Sequence, residues 1–106
     1  MKNQIILRTK NFTLDCWKFC FKVPKSREYN AFVNQLIRSS SSVGANFRAS
    51  QRAKSTADFI NKLKIVEEEA DESVYWLEIF EEIIPEHKEE IIKLKKEGSE
   101  FLAITV

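Results

Sequence analysis

Few side chains in this sequence could carry chemistry. Cys16 and Cys20 stand four residues apart, which puts both thiols on one face of a helix and offers half of a soft-metal site. The other half is lacking: His87 is the single histidine, and it lies in a distant stretch rich in Glu and Lys. Two cysteines so close in sequence cannot staple distant segments either, so no disulfide framework is expected and the thiols read as buried residues of a protein from a reducing compartment. The acidic series Glu67, Glu68, Glu69, Asp71 and Glu72 contains i, i+3 and i, i+4 pairs. A di-metal carboxylate bundle would need inward Glu-x-x-His motifs, and none is present, so a solvated or salt-bridged face is the better account. With one histidine no Ser/His/Asp set can be assembled, and no carboxylate pair has neighbours that would desolvate it. These residues predict a protein that is not an enzyme, with no catalytic residues, no metal, no cofactor and no small-molecule substrate.

The run Ser39-Ser-Ser-Ser42-Val-Gly44-Ala-Asn46 concentrates small side chains where helix propensity would favour larger ones. A phosphate-binding P-loop would need GxxxxGK[ST] after a strand, and neither occurs. Small residues four apart let a second helix backbone come unusually near, so Ser40 and Gly44 mark a tight helix crossing.

Charge is distributed unevenly. Net charge is +1, yet residues 1–54 hold 11 Lys/Arg against 2 acids and residues 55–106 hold 6 against 14. Such asymmetry can mark a nucleic-acid-binding face, and Lys22, Lys25, Arg27, Arg38, Arg48, Arg52 and Lys54 are the candidate phosphate contacts. In an antiparallel bundle, however, a basic helix beside an acidic one is simply neutralised; Arg38 in particular can pair with Glu69 or Glu72. Two functions follow: a bundle that binds RNA or DNA non-specifically through phosphates, or a structural, protein-interaction module that binds none. The sequence pI of about 7.7 leans toward the second.

The elements that must position these residues are helices. Two Gly and two Pro in 106 residues are too few for an all-β sandwich or barrel, and the 31% charged fraction suits long helices with wet faces. A first helix is expected from Thr9 or Lys10 to Lys22, with Phe12, Cys16, Phe19, Cys20 and Val23 inward and residues 1–8 as a flexible lead; Pro24 ends it. Ser26 caps a second, Arg27 to Ala53, with Tyr29, Val33, Leu36, Ile37, Ser40, Val43 and Phe47 inward. Ser55 and Asp58 form a near capping box for a third, with Phe59, Leu63, Val66, Ala70, Val74, Leu77, Phe80 and Ile84 inward. Pro85 opens a fourth, with Ile91, Leu94, Gly98, Phe101 or Leu102 and Thr105 inward. Short connections make neighbours antiparallel, so the expectation is one all-α domain, an up-down-up-down four-helix bundle. No apolar run approaches the roughly 20 residues of a membrane span, and no export signal opens the chain, which predicts a cytoplasmic protein.

Helix one has a second apolar stripe, Leu14, Trp17 and Phe21, that a lone bundle cannot also bury. Large side chains outside the core stripe mark a partner surface, so a homo-oligomer is expected with these residues in its interface. Tyr75 and Trp76 flank the core position Leu77; packing explains them better than stacking on a nucleobase.

Read as a block, residues 35–48 (QLIRSSSSVGANFR), Arg52-Ala-Lys-Ser-x-Ala-Asp-Phe-Ile-x-Lys-Leu63 and Glu69-Ala-Asp-Glu-Ser-x-Tyr-Trp-Leu77 resemble the four-helix-bundle proteins encoded by intervening sequences of bacterial 23S ribosomal RNA genes, the S23 family. The likeness spans nearly the whole chain. Ala49 stands where many relatives carry an acid, so any role of that carboxylate is absent here. The resemblance implies an antiparallel bundle assembled as a homopentamer. The chain is also similar to accessory proteins of diversity-generating retroelements, whose basic pentameric barrels bind nucleic acid and work with a reverse transcriptase. Kinship of this sort implies fold and assembly more firmly than function.

Overall fold

The computed structural model describes residues 2–104. Four helices, α1 (Lys2–Cys20), α2 (Arg27–Ser50), α3 (Thr56–Ile83) and α4 (Lys88–Ile104), make an antiparallel up-down-up-down bundle. Helix α1 packs against α2 and α4, and α3 packs against the same two, which closes a four-cornered ring. The 28 residues of α3 rise about 42 Å at 1.5 Å each, close to the 44 Å long axis of the molecule.

Local chemistry sets the boundaries. The Ser26 hydroxyl accepts from the Tyr29 N–H and the Ser55 hydroxyl from the Asp58 N–H, both at 3.1 Å, so each cap satisfies one of the orphan donors of a first turn. The Asp58 carboxylate reaches back to the Lys54 N–H at 3.3 Å, one residue earlier than a capping box would place it. Pro85 opens a single 3-10 turn, Pro85–His87, and α4 proper begins at Lys88.

The inward stripes meet in one core that includes Phe12, Cys16, Phe19, Leu36, Val43, Val66, Leu77, Phe80, Ile91 and Phe101, all buried. Edge-to-face ring pairs join its layers, Phe12 to Phe101 at 5.4 Å and Phe19 to Phe80 at 5.6 Å.

Three expectations need correction. Helix α1 starts at Lys2, so residues 2–8 are its first two turns and not a separate flexible lead. Ile5 and Ile6 pack against the core, and the Arg8 guanidinium forks onto Glu97 of α4, with Nε at 3.1 Å and Nη2 at 2.6 Å, while lying over the Phe101 ring. Helix α2 stops at Ser50 instead of Ala53, because residues 51–53 turn back on the last carbonyls of the helix. Phe59 is 38% exposed and not in the core, since it sits level with that connection, beyond the end of α2. Thr105 lies outside the described residues.

Candidate functional site

The small residues of α2 lie at the contacts with both neighbouring helices. Toward α1, a Cβ on Gly44 would stand 3.4 Å from the carbonyl carbon and oxygen of Thr9, so the two backbones pass nearly in contact. One turn away, the Thr13 hydroxyl donates across to the Ser40 carbonyl at 2.8 Å. Toward α3, the buried Ser73 hydroxyl bonds the buried Ser39 hydroxyl at 2.8 Å. The serines therefore replace side-chain bulk with short polar links, and no buried side-chain polar atom among the described residues lacks a partner.

The seven basic candidates do not form one patch. Lys22, Lys25 and Arg27 lie at the end of the bundle holding the α1–α2 connection, and the Lys22 ammonium is 2.8 Å from Glu90 of α4. Arg27 approaches its neighbour Glu28, at 3.5 Å. Arg38 sits midway along α2, where its guanidinium is held by Glu72 and by Glu69 of α3, the latter at 3.0 Å. Hydrogen bonds to those two carboxylates, Glu72 first, raise its pKa further above the ordinary arginine value. Glu72 also accepts from the Trp76 indole N–H at 3.1 Å, and Trp76 in turn lies 5.6 Å from Phe32 of α2. Arg38 is thus built into the α2–α3 seam.

Arg48, Arg52 and Lys54 occupy the opposite end, about 30 Å from Arg27 along the helix. Among the described residues none of the three is ion-paired, and Lys25 is likewise unpaired. A basic residue that the sequence reading passed over joins them: Lys10 of α1 lines the same α1–α2 groove as Arg48. No sequence signal set it apart, because its place beside Arg48 depends on how α1 and α2 pack.

The outer face of α1 is apolar. Leu14 is 42% exposed, Trp17 48% and Phe21 64%, and Leu7, missed in the sequence because the expected helix begins only at Thr9 or Lys10, is 57% exposed and extends the stripe two turns further. Leu7, Leu14, Trp17 and Phe21 recur at i, i+7, i+10 and i+14, the spacing of one continuous helical stripe. Trp17 and Phe21 pack edge to face at 4.6 Å. Tyr75 is exposed on α3, whereas Trp76 is half-buried.

The thiols face inward. Burial raises the pKa of Cys16 strongly, and it pushes Cys20 up to about 11. His87 sits edge-on to the Phe19 ring at 6.5 Å. Among the described residues, no group of three or more His, Cys, Asp or Glu is placed to hold a metal ion, and no helix is long and apolar enough to cross a membrane.

No curated protein matches this chain. A crystal structure of a protein of unknown function from the S23 ribosomal protein family, from Bacteroides thetaiotaomicron VPI-5482, is similar at 28% identity and a TM-score of 0.86 over 95% of this chain and 94% of that one. The family described as 23S rRNA-intervening sequence protein matches residues 1–105. With a bundle of the same shape and a match along almost its full length, the chain belongs to the 23S rRNA-intervening sequence protein family.

Proposed function

We propose that this protein is a non-enzymatic homo-oligomer that binds RNA or DNA through phosphate contacts without reading base sequence. The observation that carries the reading is the group of unpaired cations at one end of α2, Arg48, Arg52 and Lys54, with Lys10 beside Arg48 on α1. Cations left without carboxylates in a chain so rich in carboxylates keep their charge available to an external anion. Assembly through the α1 seam would repeat that modest patch in every copy. Lys25 and Arg27 could add contacts at the far end, whereas Arg38 and Lys22 are engaged within the bundle.

The test is a salt titration of binding to a labelled single-stranded RNA, read by fluorescence anisotropy. Three neutralised phosphates per copy give a log–log slope of about −2. Replacing Arg48, Arg52 and Lys54 together with Gln is expected to flatten it, and Arg38→Gln to leave it unchanged. A flat titration, or no binding at about 50 mM salt, retires the proposal. The second reading, a protein-interaction module, then stands; the pairing of Arg8, Lys22 and Arg38 with acids of α3 and α4 favours it, because part of the basic half is already neutralised.

A further inference from the structure

The groove between α1 and α2 exists because this stretch of α2 carries little side-chain bulk. Ser41, Gly44 and Ala45 line one side, Ile6 and Thr13 the other, and the space between them is about 240 Å³. Lys10 reaches it from α1 and Arg48 from α2, and no carboxylate among the described residues lines it. The hydroxyls in the groove have already spent their protons: Thr13 donates to the Ser40 carbonyl at 2.8 Å and Ser41 to the Ile37 carbonyl at 2.6 Å. The side-chain donors left over are the two cations. An anion in the groove has two cations within its lining to donate charge-assisted hydrogen bonds, whereas a neutral ligand gains much less.

We propose that this groove seats one backbone phosphate of a bound single strand, held from opposite sides by the Lys10 ammonium and the Arg48 guanidinium. The site rests on the nucleic-acid reading above and sharpens it from diffuse attraction to a defined subsite. Because the cations stand on two different helices, the phosphate must enter between them, which a flexible single strand does more readily than a stiff duplex.

The experiment measures binding of a short labelled single-stranded RNA by anisotropy across about 50 to 200 mM salt, with the assembly state of each variant checked by light scattering. Lys10→Gln and Arg48→Gln are each expected to weaken binding several-fold and to reduce the slope by about 0.7, the loss of one phosphate contact. Ala45→Leu fills the groove without changing charge and should do the same; Ser41→Leu repeats that test from the next turn if Ala45→Leu alters assembly. Lys18→Gln, which removes an unpaired α1 charge away from the groove, should stay within about twofold of wild type, small beside the loss of a contact. Groove-filling variants that bind like wild type, or a Lys18→Gln loss equal to that of Lys10→Gln, would overturn the seated phosphate and leave the diffuse contacts standing. Absence of binding by wild type would overturn both.

Discussion

Gly44 and Gly98 are the two glycines of the chain, and both lie inside helices, where alanine would be favoured by up to about 1 kcal/mol. Their surroundings separate them. A Cβ on Gly98 would stand 3.0 Å from a Val74 methyl and 3.2 Å from the tip of the Phe12 ring, and Phe12 is buried with no room to retreat. A Cβ on Gly44 would meet nothing nearer than 3.4 Å. Gly98→Ala is therefore expected to destabilise by about 1–2 kcal/mol, overpacking outweighing propensity, and Gly44→Ala to be neutral or to stabilise by up to about 1 kcal/mol. Urea midpoints measured at one protein concentration should fall for Gly98→Ala and hold or rise for Gly44→Ala. The close approach at Gly44 was legible because small residues repeat at helical spacing beside it. The role of Gly98 was not, since Phe12 and Val74 reach it from two other helices and one stripe says nothing about what faces it. The cysteines give a second expectation at this scale. The folded pKa of Cys20 is about 11 and that of Cys16 is also raised, both above the unfolded thiol value near 8.5. The native state therefore holds protons that the unfolded chain releases as pH rises. The thiols' contribution to stability is complete below about pH 8.5 and declines as pH climbs toward 11. A urea midpoint that falls over this window in wild type, and falls less in Cys20→Ala, would show it.

Among the elements, α1 was the least legible and the α2–α3 pair the most. The caps at Ser26 and Ser55 depend on neighbouring residues alone, so local sequence suffices to find them. The first two turns of α1 depend on Ile5, Ile6 and Arg8 docking onto α2 and α4, a tertiary gain that the polar Thr9 masks in the pattern. Thr9 is buried all the same, its hydroxyl donating to the Ile6 carbonyl at 3.1 Å, which lets a polar side chain hold a core position. The α2–α3 seam depends on Arg38. Glu69 and Glu72 sit three residues apart on α3 with only a minority of their side-chain surface exposed, and the guanidinium separates two like charges that would otherwise face each other. Arg38→Gln is expected to cost about 1–2 kcal/mol, above the range of an exposed pair because two carboxylates lose their partner. Lys22→Gln, which frees a single half-buried carboxylate in place of two, should cost less than about 1 kcal/mol. The Arg38 penalty should shrink in high salt, and restoring neutrality with Glu72→Gln should recover part of it. Equal penalties for the two single variants would contradict the seam.

For the whole molecule, the basic and acidic halves of the sequence become two adjoining sides of the bundle, joined by ion pairs across the α1–α4 and α2–α3 seams. That arrangement was legible as charge asymmetry. Which cations stay unpaired was not, because pairing depends on side-chain reach between helices. One feature remains that intramolecular packing does not absorb, the seam along the outside of α1. At about 200 Å² for a large side chain, the exposed fractions of Leu7, Leu14, Trp17 and Phe21 amount to roughly 400 Å² in a single line. A patch of that size on a monomer usually marks a functional surface. These side chains lie outside the buried core, so a charge placed among them should leave the fold intact and act on association. Trp17→Glu and Phe21→Glu are expected to keep the helical circular dichroism of wild type while lowering its molar mass in light scattering to that of one chain. Tyr75→Glu, an exposed aromatic on α3, should change neither. If wild type itself sediments as a monomer at micromolar concentration, the seam is no subunit interface, and the repeated cationic patch loses the assembly that would multiply it.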